Sequence, residues 1–523
     1  MDKLLMQIEG KRRKLQDQLD SLKLPMERNV LGQFATPFSF AKSILEQTRK
    51  YLGNTETISF LDPAFGTGAF YSALIQTFHQ NKIKKAYGIE IDLHYAKYTQ
   101  KFWQDFPLKI IIADFLSLMP PNMPNDKYKL IICNPPYVRH HHVAKDRKQN
   151  LQKWVKYNFG YKISGLAGLY CYFILHSDKW LAVNGLSCWL IPGEFLDVNY
   201  GYTLKQYFSE NVTLLRIHKF QPKDVQFKDA LVTSVVVWFI KKKPSPENKI
   251  VFSYGGNLAI PQSERTYKLA EIDVSKKWSN YFLNEQKQKK CVATLGDYFQ
   301  IKRGIATGNN KFFILSMEEI EERNLPNEFF LPILPSPRNI KTYIIESLAN
   351  GLPDINNPLF LLNCDLGEEE IKNKYHSLWD YISQGIGSVS ERYICKNRTP
   401  WYRQERRLPA PFLCTYMGRN MNSRAKPFRF ILNKSKAVAA NVYLLLYPKP
   451  LLAKIIEQDH SIGEKVLNVL NNLDLDLLVK NGRVYGGGLY KLEPKELTNI
   501  PISEFGDITP KLKVKKIIQK TLF

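Results

Sequence analysis

The stretch KLIICNPPYVRHHH, Lys129 to His142, runs an apolar segment straight into an Asn-Pro-Pro-Tyr turn. Neither proline carries a backbone N–H, so a central strand cannot continue through them. The segment therefore reads as a strand that stops at Cys133 and leaves Asn134, Pro135, Pro136 and Tyr137 at its carboxyl end. In open α/β sheets that is the edge where ligands bind.

On either side, from Thr57 to about Ile240, short apolar runs alternate with longer segments of helical character. TISFL, KKAYGIE, LKIIIA, YKLIIC, LSCWLIP, TLLRIHKF and LVTSVVVWFI read as strands, the last two as an antiparallel pair at an edge. This alternation predicts an α/β fold with a mostly parallel sheet. Residues Asp2 to Leu24 form a charged amphipathic helix with Leu4, Ile8, Leu15, Leu19 and Leu22 near helical spacing, stopped by Pro25. Residues 1–30 are thus expected to be a helical arm, packed or solvated. KKKPSPENK, Lys241 to Lys249, is polar, basic and proline-containing, and is expected to link a first domain over 31–242 to a differently built one over 250–523. No repeat of fixed period is visible.

A chain of 523 residues, 44% of them apolar, can bury more than one core. Its 74 Lys and Arg against 49 Asp and Glu give a net charge of +25, which favours a polyanionic partner. The segments before and after Ile240 are both basic, so no single tail accounts for the excess. The apolar runs fall far short of the roughly 20 residues a membrane span needs, and MDKLLMQIEGKRRK is no export signal. Seven scattered cysteines without C-x-x-C argue against disulfides and zinc. A reducing cytoplasm is expected. His140, His141 and His142 are consecutive and cannot readily converge on one ion, so they are assigned no metal. With Arg139 they read as a loop facing nucleic acid or covering a ligand. Pro353-Asp354 followed by Glu370-Ile371-Lys372 resembles a magnesium-nuclease pattern so permissive that chance explains it better.

TISFLDPAFGTGAFYSALIQTF reads strand, glycine-bearing turn, helix. Gly66 and Gly68 let the backbone turn sharply and approach a ligand, and the following helix end favours negative charge. Glu90, 22 residues after Gly68, ends the next strand, where a carboxylate can accept from ribose hydroxyls. Asp114 ends the third strand and can accept from an exocyclic amine, with Ile91 and Phe115 as apolar faces for a ring. Asp62, Glu90 and Asp114 at three successive strand ends point to a nucleoside-containing cofactor, either a dinucleotide or S-adenosylmethionine.

The Asn-Pro-Pro-Tyr turn separates the two. The lone pair of an amino group on an aromatic base is delocalised into the ring. If the Asn134 side-chain oxygen and the Pro135 carbonyl each accept one amino hydrogen, the nitrogen can pyramidalise toward a sulfonium-borne methyl group, and alignment supplies most of the help. Pro136 stiffens the turn, and Tyr137 offers the base a stacking surface. A base inside a duplex must first be flipped, at a few kcal/mol, against which stacking returns on the order of 1–3 kcal/mol.

In this the sequence resembles the γ-type N6-adenine DNA methyltransferases, the Taq-like amino-methyltransferases of restriction-modification systems. The elements stand in that family's order: QFATP at Gln33 to Pro37, DPAFGTGAF at Asp62 to Phe70, GIEID at Gly88 to Asp92, ADFL at Ala113 to Leu116, then NPPY. The resemblance implies a Rossmann-like S-adenosylmethionine-dependent domain, with Thr36, Asp62, Ala64 and Gly66 holding the methionine part. Gly68 completes the loop, Glu90 binds the ribose, and Ile91, Asp114 and Phe115 surround the adenine. It also implies a second aromatic on the flipped base, for which Tyr200 is the candidate and Phe195 and Tyr202 are competitors.

The second part resembles the family's target-recognition domain, α+β in class, more loosely, through IKRGIATGNNKFFIL and RVYGGGLYKLEPKELTNIPI. Between these, from Glu391 to Lys436, twelve Lys and Arg face two acids, interleaved with Tyr393, Trp401, Tyr402, Tyr416 and Phe428. Such a segment suits phosphate contact and intrusion near an extruded base. Arg139, Arg303, Lys311, Arg403, Arg406, Arg407 and Arg424 are therefore the candidate contacts to duplex DNA. The expected activity is site-specific DNA adenine-N6 methylation, protecting host DNA from a cognate restriction endonuclease. An RNA-base or protein-glutamine methyltransferase, or a DNA-binding component without transfer activity, are the alternatives.

Overall fold

The computed structural model describes residues 2–52, 57–138, 140–221, 234–282, 293–419, 427–485, 489–502 and 505. The chain divides into two compact units, Met1–Asn284 with Tyr485–Gly487, and the remainder.

The first unit is built on nine strands: β1 (Ile58–Asp62), β2 (Ile83–Glu90), β3 (Lys109–Ile112), β4 (Tyr128–Cys133), β5 (Leu181–Pro192), β6 (Thr213–Lys219), β7 (Ser234–Ile240), β8 (Lys249–Gly256) and β9 (Pro261–Lys268). They lie in the order β3-β2-β1-β4-β5-β7-β6-β8-β9. Strands β3, β2, β1, β4 and β5 run parallel, and β7 is antiparallel to both neighbours. Among the described residues its α-helices are α1 (Asp2–Ser21), α2 (Pro25–Leu31), α3 (Phe38–Leu52), α4 (Ala69–Thr77), α5 (Leu93–Phe102), α6 (Lys145–Phe159), α7 (Leu169–Ser177) and α8 (Tyr202–Glu210).

All seven expected strands form, and their unbroken apolar runs have a simple cause. Alternate residues feed cores on opposite faces of the sheet: Phe60, Leu130 and Ile132 pack with Ile44 and Leu74, while Leu61, Ile131 and Cys133 pack with Leu175. A strand covered on both sides has no polar face to show. Helix α7 is buried along its whole length, which its apolar-all-round sequence LYCYFILHS requires.

Three expectations are corrected here. The linker at 241–249 does not end the first domain, because the chain beyond it re-enters the same sheet. Strand β8 pairs parallel with β6 from Arg216↔Val251 to Lys219↔Tyr254, and β9 pairs antiparallel with β8. A polar, proline-bearing turn joins two strands as readily as two domains, and the unit continues to Asn284. The antiparallel pair is accordingly internal and not an edge. The amino-terminal stripe is met only in part: Leu19 is buried and Ile8 packs against a core, but Leu4 and Leu22 are 61% and 73% exposed, and Leu5, Glu9 and Arg12 complete the inward face.

The second unit is α+β. A five-stranded sheet carries, in order, Phe299–Arg303, Tyr443–Pro448, Phe412–Thr415, Phe430–Asn433 and Ile344–Ile345; a four-stranded sheet carries Ile314–Ser316, Leu359–Leu362, Phe330–Leu334 and Val438–Ala439. Among the described residues no helix is long and apolar enough to cross a membrane.

Candidate active site

Strand order reverses between β1 and β4, and the carboxyl ends of these central strands open onto a cavity of about 450 Å³. Ala64, Gly66, Glu90, Ile91, Asp114, Phe115, Asn134 and Pro136 line it, so most of the expected cofactor residues converge as the strand ends require. Thr36, Asp62, Gly68 and Tyr137 are not on its wall. Each has a supporting place instead.

The Asp62 carboxylate is buried at the end of β1 and accepts the Ala64 N–H at 3.2 Å, which sets the start of the glycine loop. Burial, with nearby Glu90 adding to it, pushes its pKa up to about 8. Gly66 and Gly68 both have positive φ but differ in use. A Cβ on Gly66 would meet nothing, leaving room for a ligand, whereas one on Gly68 would strike Phe65 and Trp103 at 2.6–2.8 Å. Gly68 is therefore a packing glycine.

Glu90 accepts the Gly66 N–H and the Asp92 N–H, each at 2.8 Å, and burial raises its pKa against those two donors. A carboxylate offers about four acceptor sites, so roughly two remain for ribose hydroxyls. Asp114 caps the turn that follows it, accepting Leu116 N–H, and also receives Ser117 Oγ and Arg147 Nη2, the last at 2.6 Å. One further donor, such as an adenine amine, completes it. Phe173 and Leu169 of α7 with Val138 add apolar wall around Ile91 and Phe115. The two acceptor carboxylates, the apolar slot and the open Gly66 fit S-adenosylmethionine.

Asn134 shows the most pointed geometry. Its Nδ2 donates to Phe34 O at 2.9 Å and Thr36 Oγ1 at 3.1 Å, while its Oδ1 is buried with no partner among the described residues. Two acceptors on one side fix which way the amide faces. The segment after α2 is clamped to the turn by Tyr137 N–H donating to Gly32 O at 3.0 Å. Thr36 thus acts on Asn134, beside the cavity wall that Phe34 and Ala35 help form.

The expected aromatic roles need correction. Tyr137 is only 8% exposed; its ring lies 5.6 Å from that of Phe34 and its hydroxyl donates to Leu190 O. Tyr200 donates to Glu194 and packs against the main core, and Phe195 is fully buried. Aromatic residues around a turn look alike in sequence whether they face a ligand or the core.

In the second unit Arg303 and Lys311 are exposed, the Arg303 guanidinium standing 4.4 Å above the Tyr416 ring. Arg403 and Arg406 both pair with Asp365, and Arg407 pairs with Glu405. Arg139 and Arg424 lie outside the described residues. Tyr402, Tyr416 and Phe428 are core residues; of the interleaved aromatics only Tyr393, 85% exposed, is presented to solvent in full.

Some site residues gave no sequence signal. Arg147 sits in KDRKQ, which reads as ordinary surface charge. Gln16, Asp20 and Lys23 of the amino-terminal arm also line the cavity. Their one clue was a buried ion pair on an amphipathic helix, Glu9 with Arg12, invisible without the true inward face.

An amide with one unmet acceptor beside a nucleoside cavity, at the switch point of a Rossmann-like sheet, places the protein among the S-adenosylmethionine-dependent methyltransferases. A family model described as Eco57I restriction-modification methylase matches residues 34–226, and one described as the C-terminal domain of the type II methyltransferase M.Eco57I matches 275–522. The type II methyltransferase M.AccI of Acinetobacter calcoaceticus is 27% identical over 92% of this chain and 86% of its own length. M.XamI of Xanthomonas campestris pv. amaranthicola is 25% identical over 84% of this chain and 80% of its own. The solved structure of the type IIL restriction-modification enzyme MmeI in complex with DNA shares the fold at a TM-score of 0.50 and 16% identity; the alignment covers 95% of this chain and 66% of that longer one. The chain is a DNA methyltransferase of the type II restriction-modification group, Eco57I-like in both units.

Proposed function

We propose that the enzyme methylates the exocyclic N6 of an adenine extruded from duplex DNA, and so protects host DNA against a cognate restriction endonuclease in a bacterial or archaeal cytoplasm. The observation that carries this reading is Asn134 Oδ1, a buried acceptor on the wall of the cofactor cavity with no donor among the described residues. Leaving such an acceptor unmet costs about 1–3 kcal/mol, regained when an N–H arrives. An aromatic amino group brings two N–H donors, one for Asn134 Oδ1 and one for the Pro135 carbonyl.

S-adenosylmethionine supplies an electrophilic methyl on a sulfonium. Asn134 and Pro135 draw the amino hydrogens into their plane and free the nitrogen lone pair. Because Phe34 O and Thr36 Oγ1 already hold the amide, little reorganisation accompanies the reaction. Glu90 takes the ribose and Asp114 the adenine of the cofactor, with Asp62 shaping the glycine loop behind them. Arg303 and Lys311, exposed and basic, support the second unit as the DNA-contacting one.

Sequencing of modified DNA from methylation-deficient cells expressing the chain tests this. N6-methyladenine in one fixed sequence context is the expected result. Methylated cytosine, or label from S-adenosylmethionine entering only RNA or protein, overturns it.

A further inference from the structure

The amino-terminal helix is wired into the glycine loop. Ser72 Oγ donates to Glu9, Glu9 pairs through both oxygens with Arg12, and Arg12 Nη1 donates to Thr67 Oγ1 at 2.7 Å. Thr67 is the middle residue of the Gly66-Thr67-Gly68 loop, and its hydroxyl donates onward to Gln16. Gln16 Nε2 and Tyr95 Oη then both donate to Asp20 Oδ1, at 2.8 and 2.7 Å. Asp20 stands on the cavity wall. Its second oxygen, Oδ2, makes no hydrogen bond among the described residues and is engaged there only by a loose ion pair with Arg28 Nη1 at 3.7 Å.

We infer that Asp20 is a cofactor-binding residue, with Oδ2 accepting a hydrogen bond from S-adenosylmethionine. One oxygen is held by two donors from two different helices, which orients the carboxylate, and the other is left for the ligand. The neighbours of Asp20 indicate which part of the ligand it meets. Gln16 ties it to the glycine loop and Tyr95 to α5, which follows the Glu90 strand end. The donors the cofactor offers there are its ribose hydroxyls and its ammonium. This rests on the S-adenosylmethionine reading of the cavity.

Calorimetric titration of the full chain with S-adenosylmethionine, S-adenosylhomocysteine and 5′-methylthioadenosine tests it. Asp20→Asn is expected to weaken the first two about tenfold, the scale of one hydrogen bond to a charged group. An equal loss for methylthioadenosine, which keeps the ribose and lacks the amino acid, assigns the contact to a ribose hydroxyl; no loss for it assigns the contact to the ammonium. Unchanged affinity for all three overturns the inference. Tyr95→Phe, which keeps the charge and removes one orienting donor, is expected to cost a few-fold by the same reasoning, and no change there also counts against it. If the unaltered protein binds none of the three, the cofactor reading itself falls, and this inference with it.

Discussion

The Asn-Pro-Pro-Tyr turn and the basic segment from Glu391 to Lys436 both stand out in the sequence, yet they differ in how their polar groups are spent. At the turn the Asn134 amide nitrogen is satisfied twice and its oxygen by none of the described residues. In the basic segment Arg403, Arg406 and Arg407 already face acids, and Tyr402, Tyr416 and Phe428 fill a core. Unspent hydrogen-bonding capacity inside a cavity marks chemistry; an abundance of charge and aromatic rings marks it only where structure leaves those groups free.

Replacing Asn134 breaks the comparison most sharply. Asn134→Ala is expected to lower methyl transfer by about a thousandfold, the scale of losing a preorganised transition-state hydrogen bond. Cofactor affinity and melting temperature should hardly move. Single-turnover rates with saturating cofactor measure the first and titration the second; a variant that keeps its rate would remove the amide from the mechanism.

A spent group behaves differently. Arg12→Ala leaves the buried Glu9 with only Ser72 and the looser 3.7 Å ion pair to Arg13, and is expected to destabilise the first unit by about 3 kcal/mol. Replacing both residues with apolar ones should cost less. Denaturant midpoints of the two variants decide whether the pair is structural.

Asp62 joins stability to pH. In the folded chain it keeps its proton up to about pH 8, whereas unfolded it loses it near 3.8. The folded state therefore binds more protons across that interval, and this contribution makes stability fall as pH rises from about 4 to about 8. Asp62→Asn should flatten that part of the profile, as denaturation at mildly acidic and at alkaline pH would reveal.

The smallest effects are expected in the basic segment, where Arg403→Ala and Arg406→Ala, already paired with Asp365, should barely alter DNA affinity. Arg303→Ala should weaken binding across all sequences and reduce the salt slope by about one. Filter-binding titrations over a range of salt would sharpen the contrast, and equal slopes for all three variants would erase it.

The parallel half of the sheet was legible because its strands are covered on both faces and end in acids or in Asn-Pro-Pro-Tyr, leaving few other readings. The join at 241–249 misled because a turn and a linker share a composition. The helical arm misled for a different reason. Periodicity seeks apolar residues, but this helix turns Glu9 and Arg12 inward, so the expected stripe was offset from the real one. Asp20 and Arg147 carried no signal at all, because pairing across 75 and 33 residues is a property of the fold.

The tether from Thr67 to Arg12 and Gln16 makes the first two dozen residues part of a shared equilibrium. Fraying of that helix and occupancy of the cavity compete, so each molecule of cofactor bound holds the amino terminus down by mass action. Protease cleavage among Lys11, Arg12, Arg13 and Lys14 should therefore slow as cofactor concentration rises, which turns the outermost helix into a gauge of how full the enzyme is.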